Sequence, residues 1–398
     1  MRKQGVVITF IFILQLCSTI YSASLEFTEI SRKELGNLPF NKSEPTFAIA
    51  NGYIGIVTAK DENNRFVLFD TTGRERFSIR PDSGFFYFVE MKNSCDIIFL
   101  SITESENVSY EAYDFTGHLV FRINRPECYL RMSPKGQYFY TRNNFIEGYY
   151  PQIFGRGGEL LAQLSPESYW WQLTPLSDSC LIFQDGPRIR ILAVPSLNVI
   201  KELMIENISP PSGIMMEVSK SPEGDFYAFC AMDKIVICDL TNYSVSFIDD
   251  SAPDSVHICP SLALGPHGKY LLCLKSIARI ETIYVRENTT WRRLIDNSRI
   301  PFNFHFFRPA YGGPILTDNY IAINYFVTAT PHGLKNPISY LRRVPISDRT
   351  EPIVEFMDAY IYEIKEHDST FLESLIIDHQ KHSYIMKKEN ISEVEDAK

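Results

Sequence analysis

The chain is 398 residues long and carries a formal net charge of −9. With 45% hydrophobic and 22% charged residues it buries a large core, which excludes an intrinsically disordered chain. No run of Lys and Arg is long enough to offset the acidic balance, which excludes a general binder of phosphate backbones, so no nucleic-acid partner is expected. Phe, Trp and Tyr together reach 13%, and such residues fit pleated, half-buried strands.

In chain order, the first feature is a three-part leader. Arg2 and Lys3 precede the apolar run from Val6 to Leu16, which is broken only by Thr9 and Gln15. The small and polar stretch Cys17 to Ala23 follows. This is the organisation of a secretory signal peptide, and the run is too short for a membrane span. Cleavage is expected after Ser22, so the mature protein is expected to be secreted or periplasmic. A lipoprotein reading would place the lipid on Cys17, but Leu16 stands where a small residue is wanted. No later segment is apolar over a span's length, and no transmembrane segment is expected in the mature chain. The expected organisation is residues 1–22 as leader, 23–386 as one domain and 387–398 as a charged tail.

Two turn signals then recur in step. The first reads Ser133-Pro134-Lys135-Gly136, Ser221-Pro222-Glu223-Gly224 and Gly265-Pro266-His267-Gly268, each followed by an apolar strand. A looser copy is Arg308-Pro309-Ala310-Tyr311-Gly312, and degenerate copies lie at 92–96 and 175–179. Gly224, Gly268 and Gly312 are 44 residues apart. Proline presets the turn, and glycine tolerates the positive φ that closes it. The second signal is a hairpin whose turn residues, Gly73, Gly117, Gly158, Asn198, Asn242 and Asn288, step by 44, 41, 40, 44 and 46.

A period of about 40–45 residues with four short strands is that of a β-propeller blade. The fold class is therefore all-β, a propeller of seven or eight four-stranded blades. Six units run from about Ala48 to Asn297, and a seventh from Phe302 to Phe356 carries an insertion near Thr328 to Pro337. The stretch from Tyr360 to Met386 would complete an eighth if the strand Leu25 to Ile30 closes the ring. Seven cysteines follow the leader without a paired spacing, and small core thiols are the better reading. Cys230 and Cys273 occupy matching places in their repeats, which is expected to keep them apart across the ring.

The Ser-Pro-x-Gly copies resemble the turn of WD40-like and TolB-type (YVTN-like) β-propeller repeats. The Trp-Asp and Gly-His pairs of WD40 proteins proper are missing, although Asp70 and Asp239 end strands. The resemblance implies the fold and says little about function, because propellers host unrelated activities.

No catalytic motif appears: there is no G-x-S-x-G elbow, H-E-x-x-H pair, phosphate loop or calcium loop. No catalytic residue, metal ligand or cofactor is expected. His367, His379 and His382 are close in sequence but read as exposed turn residues. The candidate binding residues are Trp170, Trp171, Tyr149, Tyr150 and His332, because long loops on a rigid scaffold carry most binding sites. One of the adjacent tryptophans is expected between blades and the other outward. Six N-x-S/T sequons stand at Asn41, Asn107, Asn207, Asn242, Asn288 and Asn390. The leading expectation is a monomeric, non-enzymatic scaffold for a protein or peptide partner. The alternative is a propeller enzyme with its site in the central funnel, a glycan hydrolase or lyase or a quinone-dependent dehydrogenase.

Overall fold

The Ser-Pro-x-Gly segments fold as their residue types require. The hydroxyl oxygen of Ser133 accepts the Gln137 and Tyr138 N–H groups at 2.9 and 3.2 Å, and the carbonyl of Ser133 accepts the Gly136 N–H. Ser221 does the same for Asp225 and Phe226 at 3.1 and 3.0 Å. Gly136 and Gly224 sit at φ of 70° and 80°, where a Cβ is strained. Each turn thus delivers its next strand antiparallel to the last with its backbone donors satisfied.

The hairpins use a different device. Asp70 Oδ1 accepts the N–H groups of Thr72 and Arg74 and the Thr72 hydroxyl, and Asp114 and Asp239 hold Thr116 and Thr241 in the same way. The Thr116 hydroxyl is the main cause that holds Asp114 down to about 2. At two hairpins the left-handed residue is Leu197 or Tyr243 rather than the expected Asn198 or Asn242.

The structure is a computed structural model. It describes residues 24–37, 46–58, 64–70, 72–104, 107–126, 130–141, 150–168, 170–208, 218–231, 234–249, 261–275, 280–299, 307–309, 315–327, 336–344, 354–357, 359–366, 368–378 and 383–394. Eight antiparallel sheets are present among the described residues, seven of four strands and one with a short fifth; the four main strands of each are labelled a to d, in chain order except in the sheet that joins the two ends.

Blade 1 holds Thr46–Ala50, Tyr53–Val57, Phe66–Phe69 and Glu75–Ile79. Blade 2 holds Phe85–Glu90, Ile97–Glu104, Asn107–Asp114 and Leu119–Pro126. Blade 3 holds Leu130–Met132, Tyr138–Thr141, Gln152–Gly155 and Leu160–Gln163. Blade 4 holds Trp171–Pro175, Cys180–Asp185, Arg188–Ala193 and Val199–Met204. Blade 5 holds Val218–Lys220, Phe226–Cys230, Lys234–Asp239 and Ser244–Asp249. Blade 6 holds Ser261–Leu264, Tyr270–Lys275, Ile280–Glu287 and Thr290–Arg299. Blade 7 holds Phe307–Pro309, Tyr320–Val327, Asn336–Arg343 and Val354–Met357, with the short strand Ile315–Leu316 also pairing on its second strand.

Blade 8 joins the two ends of the chain. Its first three strands are Ala359–Glu366, Thr370–Asp378 and Ser383–Val394, and its fourth is the N-terminal strand Ser24–Asn37. Ser24 pairs with Val394 and Asn37 with Ser383. The count is therefore eight rather than seven. The charged tail expected from 387 is also corrected: Lys387 to Val394 belong to the closing strand, because their alternation pairs with both neighbours.

Each blade buries both faces against its neighbours. Phe66, Leu68, Phe86 and Leu100 pack blade 1 on blade 2, and Leu35, Ile54, Val67 and Leu375 pack blade 8 on blade 1. An apolar cluster of this kind fills each of the eight seams, so the ring is closed. Two buried asparagines act as spare peptide groups. The Asn64 side chain donates to the Phe86 carbonyl and accepts the Phe86 N–H, and Asn324 does the same with Ile361. Cys95, Cys230, Cys238 and Cys273 are buried and Cys180 is half-buried. Cys230 and Cys273 are not apart across the ring, as expected from the repeat, but share the seam between blades 5 and 6.

The a–b turns meet along one rim. Asn51 accepts the Ser94 N–H and donates its own N–H to Asn93, Asp178 accepts from Ser133 and Lys135, and Glu366 accepts from Asn319. The c–d hairpins end on the same rim, since antiparallel strands reverse at each step. This is the turn face. The b–c and d–a connections start from the opposite, loop face. Among the described residues no helix is long and apolar enough to cross a membrane. The leader and the histidines 367, 379 and 382 lie outside the described residues.

Leu35 is fully buried in the seam that the N-terminal strand closes. Leu35→Ala is expected to lower unfolding free energy by about 2–5 kcal/mol, the cost of a core leucine truncation. Denaturant or thermal unfolding reads it, and an unchanged midpoint contradicts a closing role for this strand.

Candidate functional site

Strand a of each blade is the strand nearest the axis. In blade 2 Phe86, Val89 and Met91 pack into the seam with blade 1, and the run from Phe88 to Lys92 lines the axial opening. There they meet Phe47, Ala48 and Ile49 of blade 1, Arg131 of blade 3, Ile315 of blade 7 and Tyr360 and Tyr362 of blade 8. Together they enclose a cavity of about 360 Å³.

The walls are aromatic. Phe47 and Tyr360 meet edge to face at 4.5 Å, and the Arg131 guanidinium lies 4.5 Å from the Phe88 ring centre. Burial pushes the Tyr360 phenol up, and burial with the adjacent Glu373 carboxylate pushes Tyr362 up, so both are neutral hydroxyls. Tyr362 donates to Glu373 at 3.2 Å.

Charge in the cavity is unevenly matched. Glu90 is held by the Lys92 ammonium at 3.0 Å and by the Met132 N–H at 3.1 Å, and Lys92 also donates to the Met132 carbonyl. Arg131 has the Phe88 face but no carboxylate among the described residues. Lys220, on strand a of blade 5, is held below the usual lysine range by burial and then by the charge of Lys92. The lining therefore carries Lys92 and Arg131 with Glu90, which Lys92 engages, and Lys220 lies near enough to Lys92 to feel its charge. Such a cavity can take an anionic group with an apolar stem.

The sequence candidates lie elsewhere. Trp170 and Trp171 start strand a of blade 4 from the loop face, and both are buried. Trp170 packs into the seam with blade 5 and Trp171 into the seam with blade 3. The expectation that one faces outward is thus corrected: a blade has a neighbour on each side, so opposite faces of one strand are both interior. Tyr150 is 46% exposed, just before strand c of blade 3. Tyr149 and His332 lie outside the described residues. Trp170, Trp171 and Tyr150 are not among the residues that line the axial cavity. The residues that do, Phe88, Glu90, Lys92 and Arg131, carried one weak signal, the i, i+2 spacing of Phe88, Glu90 and Lys92.

Solved structures of Hsv2 share the architecture. Hsv2 of Kluyveromyces lactis is 12% identical over 82% of this chain and 98% of its own, with a TM-score of 0.51. Hsv2 of Kluyveromyces marxianus is 13% identical over 79% of this chain and 98% of its own, with a TM-score of 0.52. No family model and no curated protein matches the sequence. At these identities the likeness shows the β-propeller fold alone.

The placement of the two aromatic candidates separates packing from display. Trp170→Ala should cost about 3–5 kcal/mol of stability, whereas Tyr150→Ala should stay within about 0.5 kcal/mol. Chemical unfolding of the two variants checks both, and equal stability would contradict the seam position of Trp170.

Proposed function

We propose that this chain is an exported, non-enzymatic binding propeller that receives an acidic segment of a protein or peptide partner in its axial cavity. The observation that carries this reading is the surplus of Lys92 and Arg131 over Glu90 at the aromatic walls, with Lys220 close enough to Lys92 to feel its charge. An arginine backed by a ring and free of a carboxylate is ready to form a charge-assisted pair with one from outside. The engagement of Glu90 supports binding over turnover, because a catalytic carboxylate needs a free oxygen near its substrate. The leader at residues 1–22 supports export to the secreted or periplasmic space. The Ser-Pro-x-Gly turns support kinship with the WD40-like and TolB-type repeats. With no apolar span expected after the leader, the mature chain would meet its partner as a monomer in solution.

The test is affinity capture with the mature chain from the extracytoplasmic fraction of the source, with wild type and Arg131→Ala in parallel. A specific partner should be retained by wild type, and its affinity should fall about tenfold or more in the variant, since truncating one side of a desolvated charge pair costs about 2–5 kcal/mol. Turnover of a substrate that Glu90→Gln abolishes would overturn the reading in favour of a funnel enzyme.

A further inference from the structure

The turns that open blades 5 and 6 bring three metal-type donors together on the turn face. Glu223 and Asp225 flank Gly224 in the first turn, and His267 precedes Gly268 in the second. His267 Nδ1 lies 3.0 Å from Asp225 Oδ2 and 3.9 Å from Glu223 Oε2. One ligand atom of each residue falls within 4.8 Å of the others.

These distances match a small ion. A tetrahedral Zn²⁺ with bonds of about 2.0–2.1 Å holds its neighbouring ligand atoms roughly 3.3 Å apart. The two separations from His267 lie on either side of that value and the third is within 4.8 Å, so side-chain rotation would bring the three atoms onto three legs of a tetrahedron.

The donors are also aimed. The Ser221 hydroxyl donates to Asp225 Oδ1, which leaves Oδ2 turned toward the imidazole. Glu223 Oε2 accepts the His267 N–H at 2.9 Å, which fixes this carboxylate beside the ring.

The other turn pairs set this one apart. They join through Asn51 with Asn93, Asp178 with Ser133, Lys269 with Asp318 and Asn319 with Glu366. None of these four combines an imidazole with two carboxylates. The donor set of one nitrogen and two oxygens suits Zn²⁺ or Co²⁺, while Ca²⁺ asks for six to eight oxygens.

We propose that Glu223, Asp225 and His267 form a divalent transition-metal site, with Zn²⁺ as the fitting ion, that staples blade 5 to blade 6 and leaves its fourth position to water or to a donor from a partner. The site lies on the turn face and does not depend on the axial reading.

The experiment is calorimetric titration of zinc chloride into the chelator-stripped mature chain, with thermal unfolding followed at each ratio. Wild type should bind one ion per chain with micromolar affinity and gain thermal stability. His267→Ala and Glu223→Gln should each weaken binding by about tenfold or more, as loss of a ligand exceeds loss of an outer partner. The substituted groups are exposed or half-buried, and circular dichroism confirms the fold of each variant. Co²⁺ should bind at the same site and give visible absorption that His267→Ala removes. Absence of stoichiometric Zn²⁺ binding overturns the proposal. So does binding that both substitutions leave unchanged, or Ca²⁺ binding as tightly as Zn²⁺.

Discussion

A four-stranded sheet with two apolar faces cannot shelter either one alone, so every blade in this chain needs a neighbour on each side. That constraint is met only if the last blade touches the first. Pairing of Ser24–Asn37 with Ser383–Val394 meets it, because the N-terminal strand carries Leu35 into the seam with blade 1 while the C-terminal strands carry Ile364 and Leu372 into the seam with blade 7. One strand from the far end of the chain therefore settles the fate of two apolar surfaces. The remaining exposed apolar groups follow from the same geometry. Among the described residues every exposed large hydrophobic except Tyr150 lies on a fourth strand, at the outer edge, where no further blade covers it.

Closure also sorts the chain chemically. Tight turns gather on one rim, where they latch to each other through short polar side chains. The connections from b to c and from d to a leave from the other rim. First strands turn one edge toward the axis and supply its charges. The axial cavity is consequently a by-product of the ring: the same run that packs Val89 and Met91 into the seam brings Phe88, Glu90 and Lys92 to the opening. Glu90 and Lys92 neutralise each other there, while Arg131 lies against the Phe88 ring.

Most of the architecture was legible because turns have strict local chemistry. Ser221, Pro222 and Gly224 each do a backbone job that few residues can do, and the 44-residue return of such turns marks the blades. Blade 8 was harder to read. Its three C-terminal strands carry no Ser-Pro-x-Gly turn, and its fourth lies over 340 residues away in sequence, a pairing that no local pattern encodes. The tryptophans misled for a related reason. Alternation on a strand separates two faces, but in a ring both faces are interior. The axial residues were least legible, since Arg131 is one ordinary arginine until the ring brings Phe88 beneath it. The buried roles of Asn64 and Asn324 are equally silent, because an amide that pairs with a backbone in the next blade looks like a loop residue in the sequence.

The central claim is that the N-terminal strand is an integral part of the eighth blade. Native-state amide hydrogen exchange tests it most directly, because protection reports the free energy of opening for each strand. The amides of Leu25 to Leu35 that pair with the closing strand should exchange with the same free energy as those of Thr370–Asp378, opening only when the ring opens. Exchange of the N-terminal strand at unprotected rates, while Thr370–Asp378 stays protected, would contradict the account.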